Sequence, residues 1–139
     1  SEDARKLDSP QFPATAMLRI AEAWLAGKVA EGQGDLKSAI AHLERAVKGE
    51  DEMPYMEPAY WPIPVRPTLG AALLKAGRAS EAEAIFRQDV KLWPRNGWGL
   101  LGLEASLRAQ GKTDSASLVQ QEFNEAWKRA DTKLNLDWF

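Results

Sequence analysis

The sequence predicts an all-α protein of six helices in three hairpins. Two observations carry that reading: apolar side chains recur at helical spacing almost throughout, and three of the breaks between them share one pattern. The segments GQGDLKSAIAHLERAV (32–47), KAGRASEAEAIFRQDV (75–90) and AQGKTDSASLVQQEF (109–123) each place an Ala five residues after a turn glycine. The pairs are Gly34 with Ala39, Gly77 with Ala82 and Gly111 with Ala116. The second and third turn glycines are 34 residues apart, the period of a helix-turn-helix repeat, and the first and second are 43 apart. The excess of nine coincides with EDEMPYMEPAYWPIPVRP (50–67), which carries five prolines.

Each helix follows from its own spacing. Met17, Ile20 and Trp24 share one line, with Leu18, Leu25 and Val29 beside it, and give the first helix a wide apolar face between Pro13 and the break Gly32-Gln33-Gly34-Asp35. Leu36, Ile40, Leu43 and Val47 predict the second, with Gly49 as its C-terminal stop. Val65, Leu69 and Leu73 lead to the break at Gly77, and Ala82, Phe86, Val90 and Trp93 lead to Pro94, which gives two more. Leu100, Leu103 and Leu107 run to Gly111. Ala116, Val119, Phe123, Ala126 and Ala130 then predict a last, longer helix before the tail LNLDWF. One domain over residues 1–139 is expected, with repeat one at about 14–50, the insertion at 51–63, repeat two at about 64–94, repeat three and its cap at about 96–132, and the tail at 133–139.

Composition narrows the function classes. The 139 residues suffice for one core. Eighteen basic against twenty acidic side chains leave a net charge of -2 and no run of Lys or Arg to follow a phosphate backbone, so nucleic acid is not an expected partner. The absence of cysteine excludes disulfides, thiolate metal sites and a cysteine nucleophile. No apolar run approaches the ~18 residues of a membrane span, and the N-terminus SEDARKLDSPQ lacks the apolar block of a secretion signal. A soluble protein with no membrane partner is expected, the cytoplasm being the favoured compartment.

On these residues the chain resembles the tetratricopeptide repeat family over about residues 16–127. The family's small residue on the first helix falls on Gly27 and Gly70, its Ala early in the second helix on Ala39, Ala82 and Ala116, its bulky residue four later on Leu43 and Phe86, and its closing proline on Pro94. A small residue lets two crossing helices approach, and the bulky one fills the space between neighbours. The third copy departs, with Glu104 in the small position and Gln120 in the bulky one, as suits a polar terminal cap. Asp89 stands where an Ala is expected in the second copy, and Asp51 replaces a proline in the first. More narrowly, EPAYWPIPVRPTLGAALLKAGR is similar to the end region of bacterial proteins built from many such repeats. The resemblance implies a right-handed solenoid of three hairpins, with the proline-rich insertion between the first and second and a C-terminal capping helix. It also implies a scaffold that binds a protein or peptide on a concave face lined by first helices.

The family's groove positions fall on Trp24, Lys28 and Glu31, then on Ala71, Leu74 and Lys75, then on Trp98, Leu101, Ala105 and Arg108. Its carboxylate clamp is unmatched, because Pro64, Pro67 and Ala71 stand where charged or amide groups are needed. With the insertion included, the candidate partner-binding set is Trp24, Lys28, Tyr60, Trp61, Arg66, Lys75, Trp98 and Arg108, aromatic faces with cationic heads suited to an acidic or extended segment. For Trp24 and Trp98 the competing reading is core packing.

Catalytic chemistry is thin. His42 is the only histidine and reads as a surface residue, with no second His or Cys for a metal set or a nucleophile pair. Glu50, Asp51, Glu52 and Glu57 lack the spacing and glycine of a calcium loop and read as a solvated charge run. No catalytic, cofactor or metal residue is expected, and an enzyme is not. The alternative is a small-ligand or enzymatic pocket beneath loop 51–67, or a self-association module.

The prolines at 54, 58, 62, 64 and 67 predict a stiff, extended loop, with Pro64 and Pro67 able to enter the first turn of the third helix. Met53, Tyr55, Met56, Tyr60 and Trp61 are too apolar to leave as one wet patch. They either fold back over the first hairpin or form a groove wall, with Trp61 as anchor and Glu57 and Arg66 either paired or offered to a ligand. Leu134, Leu136, Trp138 and Phe139 of the tail are expected to dock on the last helix pair or on a second copy, a possible homo-oligomer contact.

Overall fold

A computed structural model of the chain describes residues 2–9, 12–54, 63 and 65–138. Among them the chain forms α1 (Glu2–Lys6), α2 (Ala14–Gly32), α3 (Leu36–Asp51), α4 (Val65–Lys75), α5 (Ala79–Leu92), α6 (Gly97–Ala109), α7 (Thr113–Trp127) and a closing 3-10 turn, Leu136–Trp138. The described residues contain no strand beyond one isolated bridge, Ser9 with Phe12. All six expected helices are present, and α1 is an addition. Tyr55, Met56, Glu57, Pro58, Tyr60, Trp61, Pro62, Pro64 and Phe139, for which the sequence sets expectations, lie outside the described residues.

The chain divides into two compact units, Ser1–Val65 and Arg66–Phe139. In the first, α2 lacks a capping side chain of its own at Pro13. Asp8 reaches forward to supply one, accepting from the Thr15 amide at 2.8 Å and the Thr15 hydroxyl at 2.5 Å. These bonds favour the ionised form and hold the Asp8 carboxyl below its ordinary value. Asp35 caps α3 through the Ser38 amide at 3.0 Å. Between the two helices Gly34 takes φ 80°, a left-handed turn that a side chain would strain, and Gly77 and Gly111 do the same at 74° and 72°.

Ala14, Ile20, Ala23, Gly27 and Ala30 of α2 and Ala39, Ile40, Leu43, Ala46 and Val47 of α3 are the buried residues of this pair. A methyl group on Gly27 would lie 2.7 Å from Leu43 Cγ, so the expected partnership of small and bulky residues is present. Gly49 does not end its helix as anticipated: α3 continues to Asp51. The Gly49 backbone faces Ile20, whose Cγ1 would stand 3.0 Å from an added Cβ, so close approach explains this glycine.

In the second unit the same contact is two-sided. A methyl on Gly70 of α4 would lie 2.5 Å from Phe86 Cζ, and one on Gly102 of α6 would collide with Cζ and Cε1 of the same ring. Phe86 is fully buried, and Leu69, Leu100, Leu103 and Leu107 are buried in the same unit. Pro67 occupies the first turn of α4, where its missing amide costs no helical bond. The third pair replaces small and bulky by polar: Arg108 pairs with Glu104 one turn back on α6 and donates to Gln120 on α7 at 3.2 Å.

The last helix is shorter than expected and ends at Trp127. Trp127 Nε1 donates to the Thr132 carbonyl at 2.7 Å, and the Ala130 amide closes a turn on the Trp127 carbonyl. The chain thus folds back at once instead of continuing.

Phe86→Ala should destabilise the protein by roughly 3–5 kcal/mol, the usual range for a buried ring. Gly102→Ala should also destabilise, although alanine is the better helix former by about 1 kcal/mol. A urea titration with an unchanged midpoint for either variant would contradict the packing described.

Candidate functional site

The expected binding residues fall in both units, and each is described within its own. On α2, Trp24 and Lys28 are half-buried neighbours one turn apart, and Lys28 Nζ pairs with Glu31 Oε2 at 2.6 Å. The α2 side opposite its core face carries Leu18, Leu25 and Val29, which follow at i, i+7 and i+11 and remain 54, 58 and 51% exposed. The wide apolar face read from the sequence is therefore two faces, one buried through Ile20 and one in water.

In the second unit Lys75 is exposed at the end of α4, Trp98 is half-buried on α6, and Arg108 is exposed and held by Glu104. Leu101 and Ala105 lie half-buried between them, whereas Ala71 is buried and unavailable to a groove. Trp98 is in contact with the tail: its ring centroid lies 6.0 Å from that of Trp138, at 58° between planes. Tyr60 and Trp61 lie outside the described residues, as does most of the loop that would roof the alternative pocket.

Arg66 is not offered to solvent. It is 6% exposed, and its charge acts on Asp89 of α5. Burial pushes the Asp89 carboxyl up to about 6, against the downward pull of the Asn96 amide, 2.9 Å away, and of Arg66. The oxygen that Asn96 holds sits where a Gly99 side chain would be, so Gly99 makes room for the carboxylate. Asn96 also caps α6, accepting from the Trp98 amide at 3.2 Å. The departure from Ala at position 89 is thus a buried polar link joining α4, α5 and the start of α6.

Glu83 forms a second link, missed in the sequence. It accepts from Lys112 at 2.7 Å, from Arg87 at 2.8 Å and from Gln110 at 2.8 Å. The Lys112 bond, with those of Arg87 and Gln110, outweighs desolvation and lowers its pKa to about 2. Gln110 donates in addition to the Ala79 and Ser106 carbonyls, so the turn after α6 is tied to the start of α5. Spacing could not reveal this, since Glu83 and Lys112 are 29 residues apart. The glycines were a usable signal: GWGLLG places three in six residues of a helix, which is costly unless close contacts require them.

His42 Nδ1 accepts from the Arg45 guanidinium one turn on, a surface pairing on α3. Among the described residues no three His, Asp or Glu side chains converge as a metal set. No helix of the described chain is long and apolar enough to cross a membrane. No protein-family model matches this chain, and no curated protein matches its sequence significantly.

The two carboxylates predict opposite pH dependences. The folded state holds a proton on Asp89 between its ordinary 3.8 and about 6, so its contribution to stability falls as pH rises through that window. Glu83 stabilises fully above 4.5 and loses that contribution as pH falls toward about 2. Urea unfolding across pH should show Asp89→Asn removing the first slope and Glu83→Gln the second. Unaltered slopes would overturn the assignments.

Proposed function

We propose that the chain is a protein- or peptide-binding module, a solenoid of three tetratricopeptide-like hairpins that binds through the solvent-facing sides of its first helices. The observation that carries the binding role is the exposed line Leu18, Leu25 and Val29 on α2, with Trp24 and Lys28 on its flank. Three aliphatic side chains on the face opposite the core are each more than half exposed, and apolar surface of this kind is better covered by a partner than by water. The repeat reading is supported by the recurrence of one contact, Gly27 on Leu43 and Gly70 on Phe86, each member displaced by 43 residues in sequence. Both glycines lie on the first helix of their pair, and both bulky residues on the second.

Leu25→Glu combined with Val29→Glu tests the reading. Both positions are more than half exposed, so each change should alter stability by only about 0.5 kcal/mol. The expected result is an unchanged circular dichroism spectrum with loss of the proteins that the wild-type chain retains from source-cell lysate. Retention of the same set by the double variant, or of nothing specific by the wild type, sinks the proposal.

A further inference from the structure

The tail supplies what the α2 face lacks, a visible occupant. We propose that Leu134–Trp138 is an intramolecular plug on the binding face of α6, and that the partner this face accepts is a peptide that makes the same tight turn and carries an aliphatic side chain followed four residues later by an aromatic one. The inference rests on the reading of first-helix faces as the binding surface.

The plug contacts two consecutive residues at the start of α6. Leu134 Cδ1 lies 3.1 Å from the point where a Gly97 Cβ would stand, and the Trp138 ring leans on Trp98. Gly97 has no side chain to fill this corner, and the Trp127 ring packs at the same point beside Leu134. The root of the tail is fixed, because Trp127 Nε1 donates to the Thr132 carbonyl at 2.7 Å.

The tip is held less firmly. Its turn is shaped by its own bonds, with the Asp137 amide on Asn135 Oδ1 at 3.0 Å and the Trp138 amide on the Asn135 carbonyl at 3.1 Å. Trp138 remains 60% exposed while touching Trp98, and Leu134 and Leu136 are half-buried. A tilted ring pair with one ring mostly in water is a weak contact. A fixed root with a weak tip keeps the plug at hand and lets a competitor of the same chemistry replace it. The face then has two states, covered by its own tail or covered by a partner, and the apparent affinity for the partner falls by the fraction of time the tail is seated.

The probe is the synthetic hexapeptide Leu-Asn-Leu-Asp-Trp-Phe, titrated by calorimetry into the wild-type 139-residue chain and into its Trp138→Ala variant. Trp138 is exposed enough for its loss to spare the fold, which circular dichroism checks. If the tail is seated most of the time, Trp138→Ala should bind the peptide about ten-fold more tightly than wild type. Adding Trp98→Leu, which keeps an apolar side chain on α6, should abolish the gain. Equal affinity of the two chains, or binding by neither, overturns the proposal. A wild-type dimer that Trp138→Ala dissolves in sedimentation also overturns it, since the tail would then occupy a second copy. The α2 test reads residues of the other unit, so loss of capture there beside a silent peptide titration would sink the plug alone.

Discussion

The second unit depends on one insertion, the ring of Phe86 between Gly70 and Gly102. Without side chains at those two positions, α4 and α6 both come up against the end of the Phe86 ring instead of a methyl group. Dispersion falls steeply with separation, so the short approach makes the ring contact strong and leaves little tolerance for added volume. The first unit uses the same device once, with Leu43 against Gly27.

Polar links sit around that packing. Asp89 is buried with the Asn96 amide on one oxygen and the Arg66 charge nearby, while Gly99 yields the space. A buried carboxylate in this setting adds little net stability but penalises other registers of α6, which would strand the charge. Asn96 serves two helices through its two amide atoms, capping α6 and bonding α5. Glu83, Gln110 and Lys112 fix the opposite end of α6, so α6 is tied to α5 near both termini.

Much of the fold was legible in the sequence because local rules govern it. Apolar spacing placed six helices, and three glycines at positive φ marked the turns. Gly27, Gly70, Leu43 and Phe86 were readable as contact partners because they repeat. What escaped depends on distance in space: the reach of Asp8 to α2, the Glu83 cluster, and the use of Gly49 and Gly102 as approach points. The candidate site was less legible. The tail was expected to dock on the last helix pair or on a second copy, but that Trp138 meets Trp98 is a pairing no spacing encodes, and Arg66 proved to be a buried charge.

The glycines of α6 also bear on how the second unit assembles. Gly97, Gly99 and Gly102 together weaken the isolated helix by about 3 kcal/mol relative to alanine, more than a segment of 13 residues can recover in water. Alone, α6 is therefore coil, whereas α5 and α7 have ordinary helical sequences. It acquires its shape only against surfaces that already present Phe86 and Asp89 on one side and Trp127 on the other. The helical form of α6 is thus tied to those surfaces, and a nascent chain that has emerged only as far as residue 109 still lacks the Trp127 half of its template.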